Sequence, residues 1–265
     1  LIFSCSSDND DSSSEVWEQK SEMLTNWTDN FIIPSHSTLL NNLVYLEGAG
    51  NSFTNLPNQQ NLDSLRTVFI NAYMSWQYVE MFDIGPAEES YYKSKMNIYP
   101  TTISRIEINI QNENTDFNNS NNYSAQGFPA LDYLLYGIET SDELIISKYN
   151  TDPKYLSYLS EIINQMLQNT YPIVEEWESY RNSFISSVEN TATSSVNKMT
   201  NDFIYYYEKG FRANKFGIPA GVFSGGALPE KVEAYYNKNI SKALALESFQ
   251  AIKNFYNGNG GVSLR

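Results

Sequence analysis

Cysteine and histidine are nearly absent: 265 residues hold one of each, Cys5 and His36. No disulfide can form within the sequence, and neither a catalytic triad nor a Cys/His metal site has the residues to build it. Basic residues are scarce as well. Seventeen Lys and Arg stand against 31 Asp and Glu, a net charge of −14, which argues against nucleic acid and anionic membrane surfaces as partners. No apolar run reaches membrane-spanning length. Period-two alternation, internal repeats, a phosphate-binding loop, a dinucleotide-type glycine pattern and a nucleophile elbow are missing too. Chemistry is left to carboxylates, tyrosines, lysines and arginines. With 41% hydrophobic residues the chain can bury one large core or two of ordinary size.

What is present is helical periodicity. Val16, Met23, Leu24, Trp27 and Phe31 fall at helical spacing, and Pro34 is expected to end that helix. Ser35 or Ser37 can cap a second helix carrying Leu39, Leu40, Leu43, Val44 and Leu46, with His36 at the boundary in a capping or surface position. The strongest pattern opens at Asn61 and Asp63 and runs to Gly85-Pro86, apolar on most sides from Leu62 through Trp76 to Phe82. On it Gln77, Glu80 and Asp83 step at i, i+3, i+6, a polar strip that is either a solvated edge or a functional set.

Further on, a helix is expected after Pro100 to about residue 111, then an Asn-rich mobile loop over 109–126. A long amphipathic helix starts at Asp152-Pro153 and is interrupted at Pro172. Helices follow over about 192–211, 229–236 and 241–258, with an irregular Gly/Pro stretch over 214–229.

One stretch organises the rest: Gln-Gly-Phe-Pro-Ala-Leu-Asp-Tyr-Leu-Leu-Tyr-Gly over 126–137. Gly127 admits backbone angles closed to other residues, Pro129 suits a first helical turn, and Gly137 suits the end. Phe128, Leu131, Leu134 and Leu135 share a face, which Tyr133 and Tyr136 widen. A short helix apolar all round is expected to be buried, and its one charge, Asp132, then needs a partner. Asp132 either caps a neighbouring backbone, pairs with a Lys or Arg, or is a functional carboxylate.

The start of the chain resembles the end of a bacterial lipoprotein signal peptide. Leu1-Ile2-Phe3-Ser4 leads into Cys5, the residue to be acylated, and an acidic, Ser-rich tether over 6–14 follows. Cys5 is thus the candidate lipidation site, and the bacterial outer membrane or cell surface the expected location.

Two stretches, 72–86 and 127–137, are similar to the imelysin family, also called insulin-cleaving membrane protease-like, and looser similarity runs from about residue 15 onward through 228–236. The resemblance implies an all-α protein of two helical-bundle lobes, here 15–142 and 143–265 behind a signal remnant and tether at 1–14. The second lobe is expected to be incomplete at its end. It also implies export and a link to iron uptake. The family hallmark is Gly-x-His-x-x-Glu. Gly127 matches, but Pro129 stands at the His position and Asp132 at the Glu position. Proline can neither ligate a metal nor move a proton, so the expectation leans away from an enzyme and names no catalytic residue. The favoured reading is a surface-anchored binding or accessory lipoprotein for iron or another nutrient. Its ligand would be a metal ion, haem or a small molecule, held among Trp76, Gln77, Glu80, Asp83, Gly127 and Asp132. Glu80 with Asp132 forms a weak oxygen-only candidate for a hard cation. The alternatives are a metal-dependent peptidase and a glycan- or peptide-binding surface lipoprotein. Oligomeric state is not legible.

Overall fold

The computed structural model describes the backbone of residues 10–265 and the side chains of residues 15–265. Cys5 and the start of the expected tether lie outside the described residues. Among those described there are helices and turns but no strand. The order begins with α1 (Asp10–Trp27), α2 (Ile33–Asn55) and α3 (Gln59–Trp76). Short helices α4 (Pro86–Glu89), α5 (Tyr92–Met96) and α6 (Ile103–Gln111) lead to α7 (Gly127–Tyr136) and α8 (Asp142–Thr151). The 34-residue α9 (Pro153–Ser186), α10 (Ser195–Tyr205) and α11 (Ser241–Asn257) complete the set. The long helix α2 packs against both α3 and α9, and the buried apolar residues from Leu24 to Phe255 form one cluster. No described helix is long and apolar enough to cross a membrane.

Neither of the two prolines expected to break a helix does so. At Thr28–Ile32 the helix widens to a π turn, and the N–H of Ile33 reaches back to Thr28 O. That i→i−5 register relieves the clash and the missing donor that Pro34 brings to a regular helix, so α1 runs on into α2. His36 consequently sits inside the helix, 1% exposed, rather than at a capped or surface boundary. Its Nδ1 lies 2.8 Å from Ile32 O, and burial pulls its pKa down to about 4. Pro172 likewise lies within α9, where the buried residues Ile163, Met166, Ile173 and Trp177 hold the helix together on both sides.

The Asn-rich stretch is ordered by its own amides. Asn109 Nδ2 donates to Asn122 Oδ1 at 3.1 Å, Asn122 to Asp116 O at 2.8 Å, and Gln126 Nε2 to Phe117 O at 2.7 Å. These bonds satisfy a loop with few apolar residues and deliver the chain to α7.

Helix α7 is buried over residues 127–135, with Phe128, Leu131, Leu134 and Leu135 at 0% exposure. Tyr73 stacks on Phe128 at 4.5 Å. The carbonyls at the end of α7 are satisfied from outside: Arg66 donates to Leu135 O at 2.7 Å and Tyr149 to Leu134 O at 3.0 Å. At its start Gly127 has φ +72, and a Cβ there would stand 2.2 Å from Met96 O. Gly127→Ala should therefore cost about 3 kcal/mol or more, from left-handed strain plus collision with a fixed backbone. Denaturant melts compared with the parent check this.

Candidate functional site

Helix α3 stops at Trp76, six residues short of the end of its apolar pattern at Phe82. The N–H groups of Gln77, Tyr78 and Val79 turn back to Met74, Ser75 and Trp76, three residues away, and the chain leaves the helix in tight turns. Burial, not propensity, decides this end: the turns bring Gln77 (0% exposed) and Glu80 (4%) into the interior beside charged groups from two distant segments. One segment is a π-helical stretch, Tyr206–Gly217, that continues α10. The other is the turn region after Leu228. A helix expected over 229–236 is reduced there to a single turn at Pro229–Lys231, with Ala234 at φ 54. Asp132 accepts from the N–H of Tyr236 (2.8 Å) and of Asn237 (2.9 Å), and Ser241 donates to Ala234 O. These bonds replace helical ones and turn Glu233 inward.

At the centre is Lys215. Its ammonium donates to Glu233 Oε2 at 2.6 Å and Gln77 Oε1 at 2.7 Å, and pairs with Glu80 Oε2 at 3.2 Å. Its side chain is 1% exposed. Asn97 Nδ2 bridges the two carboxylates, 3.0 Å from Glu80 Oε1 and 2.9 Å from Glu233 Oε1, while its Oδ1 accepts from Tyr73 OH at 2.8 Å. Gln77 Nε2 adds a bond to Glu233 at 3.1 Å, and Tyr206 OH adds one to Glu80 at 3.0 Å, with Ser248 2.7 Å behind it. All three Lys215 protons and both amide protons of Asn97 are thus committed.

The electrostatics follow from that closure. Burial opposes the charged forms of both Glu80 and Lys215. For Glu80, Lys215 and Lys93 with the bonds from Asn97 and Tyr206 hold the carboxyl below its ordinary value. For Lys215, Glu233 and Glu80 hold the ammonium above its own. Burial and the neighbouring carboxylates push the phenols of Tyr73, Tyr99 and Tyr206 well up, so none is a ready base.

Two cavities flank this cluster, and Tyr99 lines both. One, of about 330 Å³, is polar and borders Glu80, Asp83, Lys93, Tyr99 and Lys209. The other, of about 250 Å³, borders Pro129 and Asp132, one turn apart on α7, and Tyr235 and Tyr236 opposite. Burial pushes Asp132 up to about 6, against the two backbone N–H bonds that favour its anion.

The imelysin family model (peptidase M75) matches residues 32–265. The chain belongs to the imelysin family. Two solved structures share this imelysin's fold. One, from Parabacteroides distasonis ATCC 8503, is described as an iron-regulated protein A precursor; it has a TM-score of 0.75 and 16% identity, over 91% of this chain and 74% of that one. The other is an imelysin-like protein from Psychrobacter arcticum 273-4, with a TM-score of 0.73 and 17% identity over 90% and 74%. No curated protein matches by sequence.

The sequence candidates in this imelysin separate into distinct places. Gln77 and Glu80 join the central cluster, and Asp83 lines the polar cavity beside it. Trp76 belongs to the core, edge-on to Tyr92 at 5.4 Å, and Gly127 serves the backbone crossing with Met96. Glu80 and Asp132 have separate partners and do not form an oxygen-only pair. The residues present do not fit a metal ion: Glu80 and Glu233 share the ammonium of Lys215, Asp132 is held by backbone, and among the described residues no group of three or more His, Cys, Asp or Glu could hold one. Lys215, Asn97, Tyr206 and Tyr99 were not singled out in the sequence. Glu233 carried a usable signal, a charge set in the apolar run Val232-Glu233-Ala234-Tyr235-Tyr236.

Lys215→Met should cost about 3–5 kcal/mol, because two buried carboxylates lose their counter-ion. The pH dependence has a definite sign. A lowered Glu80 and a raised Lys215 stabilise the wild type between about pH 4.5 and 10.5, their ordinary values, and the contribution fades outside that window. In Lys215→Met, Glu80 takes up a proton more readily folded than unfolded. Relative to the wild type, the variant should therefore recover stability from pH 7 toward about pH 5, because the raised Asp132 and the lowered His36 act alike in both proteins. Urea melts across that range check it.

Proposed function

We propose that this imelysin is a non-enzymatic binding or accessory protein for nutrient acquisition, carried at the bacterial surface by a lipid on Cys5. The observation that carries the reading is Lys215. Metal-assisted hydrolysis needs open ligands and a base that activates water. Here an internal ammonium pairs with both buried carboxylates, every strong donor around them is committed, and Pro129 stands where the family places histidine. What is left open to solvent is cavity wall, which binds rather than reacts. The iron connection rests on the relative described as an iron-regulated protein A precursor. A metal ion, haem or a small molecule brought by a partner protein is compatible with an accessory role.

Peptide cleavage with added zinc, iron or calcium, alongside metal analysis of the purified protein, is the test. The expected result is substoichiometric metal and no stimulated cleavage, unchanged in a Glu80→Gln/Asp132→Asn double variant. Metal-stimulated cleavage that the double variant abolishes would overturn the reading. Anchoring has its own measurement: Cys5→Ser should move the protein out of the detergent-rich phase when host cells are fractionated. Equal partitioning of the two proteins would remove the lipid from the proposal.

A further inference from the structure

The cavity beside α7 has a wall chemistry unlike that of its neighbour. Three phenol rings, Tyr99, Tyr235 and Tyr236, border it together with the carboxylate-bearing Asp132 and Glu230, and the remaining wall is mostly apolar. No lysine or arginine lines it, whereas the cavity across Tyr99 carries Lys93 and Lys209. Tyr235 and Tyr236 stand at 74° with centroids 5.2 Å apart, making an aromatic corner. Lys238, outside the cavity, holds its ammonium 5.4 Å from the Tyr235 centroid.

Negative charge is available in two positions. Asp132 uses one acceptor site on each oxygen for the N–H groups of Tyr236 and Asn237, and a carboxylate has about four such sites. Glu230 is exposed and has no ion pair among the described residues. The Tyr99 hydroxyl has no hydrogen-bond partner among the described residues either. A partly open cavity of about 250 Å³ with three phenol rings, two carboxylates and no cation in its wall disfavours anions and gives a neutral apolar guest no use for the charge.

We propose that this cavity binds a small organic monocation of the alkylammonium class, its cationic head against Tyr99, Tyr235 and Tyr236 and its charge balanced by Asp132 and Glu230. The assignment rests on the binding-protein reading and names the ligand chemistry of one of its cavities. Attraction of a desolvated cation to ring faces supplies the affinity, and the carboxylates exclude anions of similar shape.

Choline chloride is the probe, with dimethylbutanol, its neutral carbon isostere, as the comparison in titration calorimetry. Choline should bind saturably, and the isostere at least about tenfold more weakly, the equivalent of one good cation–π contact. Tyr235→Ala and Glu230→Gln should each weaken choline about five- to tenfold. Lys209→Ala, in the other cavity, should leave it unchanged. Glu230 is exposed, so its variant reports on binding even if loss of Tyr235 perturbs the loop. Equal affinity for choline and its isostere, no saturation by about 10 mM choline, or an unchanged Glu230→Gln would overturn the proposal. Such a failure with no metal-stimulated cleavage removes the ammonium assignment alone; stimulated cleavage removes the binding reading instead.

Discussion

The arrangement depends on one ammonium group kept out of water. Lys215 is held by Glu80, Glu233 and Gln77, and each of those residues comes from a segment that departs from its regular course to reach it. Helix α3 ends in tight turns at Trp76, the helix after α10 widens into a π stretch, and the chain after Leu228 abandons helix for turns. A charge that cannot be solvated must be met by protein, and the conformations that meet it override local propensity. Two carboxylates against one ammonium leave a negative excess, which the amides of Asn97 and Gln77 and the Tyr206 hydroxyl spread by hydrogen bonding. Removing any one partner strands the others, so the cluster is a constraint on the whole junction rather than a local contact.

Asp132 does the second part of that work. It is the only charge on α7, and it is spent on the backbone of Tyr236 and Asn237 rather than on a Lys or Arg. By fixing that turn it orients Glu233 toward Lys215 and sets Tyr235 and Tyr236 across from Pro129. The same carboxylate therefore shapes the charged cluster and borders the aromatic cavity. Between a backbone cap and a Lys or Arg pair, the buried aspartate makes the backbone cap.

How much of this the sequence shows follows from the range of the interactions. The burial of 127–137 is legible because every residue of a short apolar helix points to the same conclusion, whatever it packs against. Proline is read wrongly at Pro34 and Pro172 because the rule for its cost assumes a regular helix without neighbours; a π turn relieves the first, and core packing on both sides holds the second. The Asn-rich loop looks mobile because side-chain amides bonding within a loop leave no hydrophobic signature. The strip of Gln77 and Glu80 is recognisable as polar groups in an apolar setting, yet their charged partners lie more than 130 residues away in stretches read as irregular or helical. No local periodicity carries that information.

The hallmark positions connect these points to function. Pro129 and Asp132 sit at i and i+3 of α7 and border one cavity, so the family's His and Glu, carried onto these positions, would border the same space. In this chain that pair cannot act together as a nitrogen ligand and a base: the proline ring has no free lone pair, and the aspartate accepts one backbone N–H on each oxygen. In this chain the cavity is bordered by rings and carboxylates. The buried carboxylates on the far side of Tyr99 are closed by Lys215. Proline at the histidine position and the pairing of the neighbouring cluster with Lys215 both support the proposed binding role, because a site that must activate water needs unsatisfied ligands and a mobile proton. Under that proposal the pocket offers shape, aromatic surface and a negative field to a bound guest.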